Sequence, residues 1–180
     1  DFSSWSAGEQ FPDIGGYKAA ADYWFSNYAD GGAGAVTITR RHTAGEAAAG
    51  ETLPPSALRL SVTRTGEGRG WCALTQEIAN AQSLAGRNMT LSFFARGSFD
   101  LHLDAHLQWV PSGSGARGRA DRLAVGTGWT RISTTLDLLA IDAPAGAQPL
   151  LLLSVLLPTS GEFWIDVTGF QLAPTAAANA

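Results

Sequence analysis

Residues 99–109 alternate apolar and polar side chains with a period of two over almost their whole length, and this stretch constrains the fold more than any other. Successive side chains of a strand point to opposite faces of its sheet, whereas a helix would scatter this pattern around its circumference. Leu101, Leu103, Ala105, Leu107 and Trp109 therefore form an inward row, and His102, Asp104, His106 and Gln108 an outward one. Ordinary solvated strand faces are built from Lys, Thr and Glu. A row of His, Asp, His and Gln flanked by aromatics reads as a surface that binds something polar.

The same period recurs along the chain. It predicts strands over 35–40, 57–65, 70–78, 88–96, 100–109, 121–125, 130–138, 150–157 and 162–172, separated by Gly-, Pro- and Ser-rich turns such as 51–55, 66–70, 111–118 and 158–161. Helical turns are expected only at 43–49 and 81–85. Stretch 150–157 is apolar on both faces and belongs in the middle of a covered sheet. Short strands with long mixed connections predict an all-β fold, a two-sheet antiparallel jelly-roll β-sandwich. The domain spans 1–173, and the Ala-rich residues 174–180 read as a flexible tail or linker. At 180 residues the chain suits one domain that buries roughly 70% of its unfolded surface.

Composition removes several function classes. With 45% hydrophobic and only 16% charged residues the chain is not disordered. A formal charge of -4 lacks the basic stripe needed to release phosphate counterions, so no nucleic-acid partner is expected. The apolar run at 150–157 is broken by Ser154 and too short to span a bilayer, so no membrane insertion is expected. Cys72 is the sole cysteine, which excludes an intrachain disulfide, and its phase with Leu74 and Ile78 makes it a buried structural thiol. The chain begins at Asp1 rather than Met, as a fragment or processed product would.

Several blocks follow one another in a familiar order. Asp1-Phe-Ser-Ser-Trp-Ser-Ala-Gly-Glu-Gln-Phe11, Ala21-Asp-Tyr-Trp-Phe25 and Ala35-Val-Thr-Ile-Thr-Arg40 open the chain. Ala57-Leu-Arg-Leu-Ser-Val-Thr63, Leu74-Thr-Gln-Glu-Ile78, Leu91-Ser-Phe-Phe-Ala-Arg96, Gly128-Trp-Thr-Arg131 and Phe163-Trp-Ile-Asp-Val-Thr-Gly-Phe-Gln-Leu172 continue it. This order resembles jelly-roll domains of phage and prophage tail fibres and spikes, and is similar to carbohydrate-binding modules of the galactose-binding-like type. The resemblance implies a non-catalytic domain on the surface of a virion or phage-like particle that binds host cell-surface or capsular polysaccharide. It equally allows a structural assembly or spacer module that forms a homo-oligomer through flanking regions. It also implies that Trp5, Trp24, Trp129 and Trp164 pack the sandwich core. Related jelly rolls often hold a calcium ion near the first and last strands, with Asp166, Asp1 and Glu9 as the hints here and Asp166 the candidate ligand.

A sugar site needs flat aromatics against the pyranose ring and forked polar groups for its hydroxyls. Extending the alternation to neighbouring strands adds Trp71, Thr75 and Glu77, then Ser92, Phe94 and Arg96, then Arg131, Ser133 and Thr135, to the row of His102, Asp104, His106 and Gln108. All of these are expected to line one concave sheet. The glycan-binding set is accordingly Trp71, Glu77, Phe94, Arg96, His102, Asp104, His106, Gln108 and Arg131. His102 and His106 lie on the order of 13 Å apart at strand rise, too far for one transition metal. Glu77 and Asp104 are the two carboxylates that an enzyme of glycosidic bonds would use. No nucleophile elbow, phosphate loop or zinc-protease helix accompanies them, so no enzyme activity is expected. Arg117, Arg119 and Arg122 on the loop after Trp109 suit the carboxylates of an acidic polysaccharide.

Overall fold

Apolar side chains repeated at every second position can leave water only if two sheets close face to face, and the chain does this. The computed structural model describes residues 2, 4–6, 8–12, 16–19, 21–22, 24–29, 34–48, 50–64, 71–110, 117–138 and 150–175. Among them, β1 (Gln10–Phe11), β4 (Gly34–His42), β7 (Ser56–Arg64), β14 (Phe163–Pro174), β9 (Asn88–Gly97) and β12 (Thr130–Asp137) pair in that order into a first sheet. A second sheet runs in the order β11 (Arg117–Val125), β10 (Leu101–Val110), β13 (Leu150–Leu156), β8 (Trp71–Ile78), β3 (Trp24–Ala29) and β2 (Gly16–Ala19). The described pairings within both sheets are antiparallel. A small hairpin of β5 (Ala47–Ala48) and β6 (Glu51–Thr52) stands apart from them.

Leu58, Leu60, Leu91, Phe93, Ile165 and Val167 face inward from the first sheet to meet Leu74, Leu103, Leu107, Trp109, Leu151 and Leu153 of the second, all nearly inaccessible to water. Each such side chain contributes about 1.5–3 kcal/mol by leaving water. Trp109 thus belongs to the core, and Cys72 is buried as expected. Residues 150–156 form a strand in the interior of the second sheet, flanked by β10 and β8.

The N-terminal part of the chain closes the same core. Phe2 and Trp24 pack with ring centroids 5.1 Å apart, and Phe170 lies 4.6 Å from both Trp24 and Phe93, stacked on the latter at 8°. Trp5 Nε1 donates to Phe2 O at 2.7 Å. Asp22 accepts from the hydroxyls of Ser4 and Ser6, and these bonds hold its carboxyl below the ordinary carboxylate range. Trp5 and Trp24 are core residues, as anticipated.

The helical turn expected at 81–85 is present as a 3-10 turn, Gln82–Leu84. Two expectations need correction. Residues 43–48 form no helix; Glu46 N donates to Thr43 O at 2.9 Å in one turn and the chain enters β5. The last strand runs past 173: Pro174 pairs with Met89, and Thr175 N donates to Asn88 O at 2.8 Å. Residues 176–180 of the expected tail lie outside the described residues.

Where the edges of the two sheets meet, Gly118 of β11 lies against Asp137 of β12 so closely that a Cβ would sit 2.9 Å from the Asp137 carbonyl carbon. Backbone cannot rotate aside as a side chain can. Gly118→Ala should therefore cost about 1–3 kcal/mol in urea unfolding. An unchanged midpoint would mean that the two edges have room to separate.

Candidate functional site

The residues expected to line one face are divided between two. β9 and β12 belong to the first sheet and β8 and β10 to the second, so Phe94, Arg96 and Arg131 lie on the opposite side of the sandwich from Glu77, His102, Asp104, His106 and Gln108. The short turn after Gly97 carries the chain from one sheet to the other, whereas a hairpin would have kept β9 and β10 side by side. Trp71 begins β8 opposite Ala29, in phase with Glu77, and its side chain lies outside the described residues.

The outer surface of the first sheet is occupied by its own network. Phe94 is only 7% exposed, packed with Ala48, Leu53 and Trp129 beneath the β5–β6 hairpin, which removes its ring from contact with a sugar. Arg131 lies over the Phe94 ring at 5.5 Å and pairs with Glu51 at 2.6 Å. Asp166, fully buried, accepts from Arg59 Nε at 2.6 Å, Arg59 Nη2 at 2.9 Å and Arg96 Nε at 2.9 Å, with Arg41 Nε 3.3 Å away. The hydrogen bond to Asp166, and after it the Asp166 charge, raises the Arg59 pKa above its ordinary value against the opposing effect of burial. Three guanidinium groups around one carboxylate repel a divalent cation, so this site does not fit the calcium ion expected of it.

The two tryptophans expected in the core sit on this outer surface instead. The Arg59 guanidinium stacks 4.1 Å from the Trp164 ring and that of Arg96 4.7 Å from Trp129. Glu46 ties the hairpin down, accepting from Trp129 Nε1 at 2.6 Å and pairing with Arg96 at 3.0 Å.

The outer surface of the second sheet is arranged differently. Strand register sets His106 between Arg119 of β11 and Ser154 of β13, and continues the row through Thr75 of β8 to Phe25 of β3. The next row holds Gln108, Leu152 and Glu77. His102 is exposed, Asp104, Gln108 and Glu77 are half-buried, and His106 is buried. The outward phase of β10 is thus as the alternation predicts.

A register shift between Leu103 and Ala105 interrupts the pairing of β10 with β11. Opposite it, Arg122 adopts a left-handed φ of 56°, rare for a side chain of this size, and its amide donates to Asp104 Oδ1 at 2.8 Å. Bulges of this kind re-aim side chains and collect near binding sites. Beside it opens a cleft of about 540 Å³ lined by Phe99, Asp100, His102, Asp104, Arg122 and Thr159 among others. Phe99 is 48% exposed.

Two chemical expectations can be tested on this geometry. Glu77 stands opposite Gln108 across β13, two strand spacings away, while Asp104 lies four residues further along β10. Their separation is then roughly 16 Å. A glycosidase needs its carboxylates about 5–9.5 Å apart, so these two cannot flank one bond. The basic loop is partly neutralised, since Arg119 pairs with Asp121. The side chain of Arg117 lies outside the described residues. Among the described residues no three His, Cys, Asp or Glu side chains converge on one metal position, and no helix is long and apolar enough to cross a membrane.

No protein-family model matches the chain, and no curated protein matches it. Solved structures do. The chain is similar to a carbohydrate-binding module, CBM4, with TM-score 0.56 and 14% identity over 86% of this chain and 96% of that one. It is similar to the family 11 carbohydrate-binding module of Clostridium thermocellum in complex with a β-1,3-1,4-mixed-linked tetrasaccharide, with TM-score 0.53 and 12% identity over 94% and 98%. It also matches tailspike protein 4 of bacteriophage CBA120, with TM-score 0.52 and 15% identity over 85% of this chain but only 19% of the tailspike chain. At these identities the likeness establishes the architecture, a jelly-roll β-sandwich.

Proposed function

We propose that this jelly roll is a non-catalytic glycan-binding domain, which holds a cell-surface polysaccharide on the outer surface of its second sheet. The observation that carries the reading is the cleft at the β10–β11 bulge, where an exposed aromatic, Phe99, stands beside His102, Asp104 and Arg122. A ring face and forked polar groups converging on one concavity are what a pyranose requires. The outward row of His106, Gln108 and Glu77 extends that polar surface along the sheet. The fold is shared with modules named for carbohydrate binding, which supports the same reading.

We further propose that the domain is carried on a phage-like particle and serves host adhesion. The resemblance of its sequence blocks to tail fibres and spikes and the occurrence of this fold within a tailspike support that placement. Weak single-site binding would suffice there, because several copies on one particle multiply avidity without new contacts.

Affinity electrophoresis tests the proposal. The probes are neutral polysaccharides (mixed-linkage β-glucan, xylan, galactan and neutral bacterial capsules) and anionic ones (polygalacturonate, alginate and acidic capsules). Wild type should be retarded by at least one of them, and His102→Ala/Gln108→Ala should weaken that retardation about thirtyfold, two lost hydrogen bonds contributing about 1 kcal/mol each. Neither side chain is in the core, so thermal melting should match wild type. Retardation by no polysaccharide, or none lost in the double variant, overturns the proposal.

A further inference from the structure

We infer that the bound polysaccharide is uncharged and that it crosses the end of the sandwich over Phe99, filling a second cleft beside Trp164. The inference rests on the glycan-binding reading above and deepens it. The second cleft, of about 340 Å³, is lined by Ser61, Thr63, Ser98, Glu162, Trp164 and Phe99 among others. Phe99 also lines the first cleft, so one ring is shared by two concavities that open on different sheets.

The backbone that leads into Phe99 is held in place. Ser98 N donates to Trp164 O at 3.0 Å, Trp164 N donates to Ser98 Oγ at 3.2 Å, and Gly97 N donates to Gly126 O at 2.8 Å. The turn is so tight that a Cβ on Gly97 would lie 2.8 Å from Phe99 O. Trp164, on the far side, is itself fixed under the Arg59 guanidinium. Among the described residues, Phe99 and Val110 are the large apolar side chains left exposed. A phenyl group left exposed between two clefts gains most from a ligand that covers it, and a pre-organised backbone lowers the entropy cost of doing so.

Charge selects the ligand. The two clefts together present Asp100, Asp104 and Glu162 against the single guanidinium of Arg122. An anionic chain would meet net repulsion here, whereas hydroxyl groups would find acceptors on both sides of the ring.

The test uses the intact domain with the same neutral and anionic panel, adding disaccharides cut from whichever polysaccharide binds. Phe99→Ala should weaken binding of the long neutral chain about tenfold, and Phe99→Tyr, which keeps the ring, should restore it. Thr63→Trp, which fills the second cleft, should weaken the long chain and leave the disaccharide unaffected. Equal or tighter binding of anionic chains overturns the inference. So does unchanged binding in Phe99→Ala and Thr63→Trp when His102→Ala/Gln108→Ala weakens it, a result that leaves the glycan-binding reading standing. Retention of no polysaccharide by wild type removes both.

Discussion

Asp166→Ala should lower the unfolding free energy by about 3–5 kcal/mol, because it removes the one carboxylate that three guanidinium groups share. Asp166 is fully buried, and Arg59 and Arg96 keep only 26% and 17% of their side chains in water. Without it, Glu46 is left as the acidic partner of Arg41 and Arg96. Asp166→Asn, which keeps the shape and an acceptor but not the charge, should lose less. Removing Arg59 together with Asp166 should cost less than the two single losses summed, because each change disposes of the other's orphaned charge. Urea unfolding with an unchanged m-value measures all of these. A loss under about 1 kcal/mol for Asp166→Ala would mean that solvent, rather than the aspartate, balances the arginines.

Trp24→Ala should cost a similar amount, about 3–5 kcal/mol, for an unrelated reason. Its indole is 1% exposed and closes the core between Phe2 and Phe170, at 5.1 and 4.6 Å. It also anchors β3, which joins the edge strand β2 to β8. The cavity left behind should loosen that end of the second sheet, so backbone amides of β3 should lose hydrogen-exchange protection before those of β9 or β14. Protection lost evenly across both sheets, or a stability loss below about 1 kcal/mol, would contradict this packing role.

Strand content was legible because inside and outside alternate locally. Residues 88–96, 100–109, 130–138, 150–157 and 162–172 all lie in strands within a few residues of their expected ends. Sheet membership is not local, and the joint face expected for Phe94, Arg96 and His102 failed for that reason. Chain neighbours β9 and β10 do not pair with each other, β9 joining β12 and β14 and β10 joining β11 and β13, so alternation told which residues point outward but not from which sheet. β3 escaped notice since Trp24 and Phe25 are adjacent aromatics on opposite faces, which hides the period. Asp166 is a candidate metal ligand only through the resemblance, and its partners Arg41, Arg59 and Arg96 come from three other strands. Phe99 gave no signal beyond an aromatic between strands; only the structure shows that it stays exposed beside a tight turn.

The account turns on the second sheet as the binding surface, and an NMR titration of the ¹⁵N-labelled domain tests this most directly. With the neutral oligosaccharide that the domain retains best, amide shifts should concentrate at Phe99 to Gln108 and at Arg122, leaving Phe94, Arg96 and Arg131 unmoved. Shifts confined to β9 and β12, or none with any glycan of the panel, would contradict it.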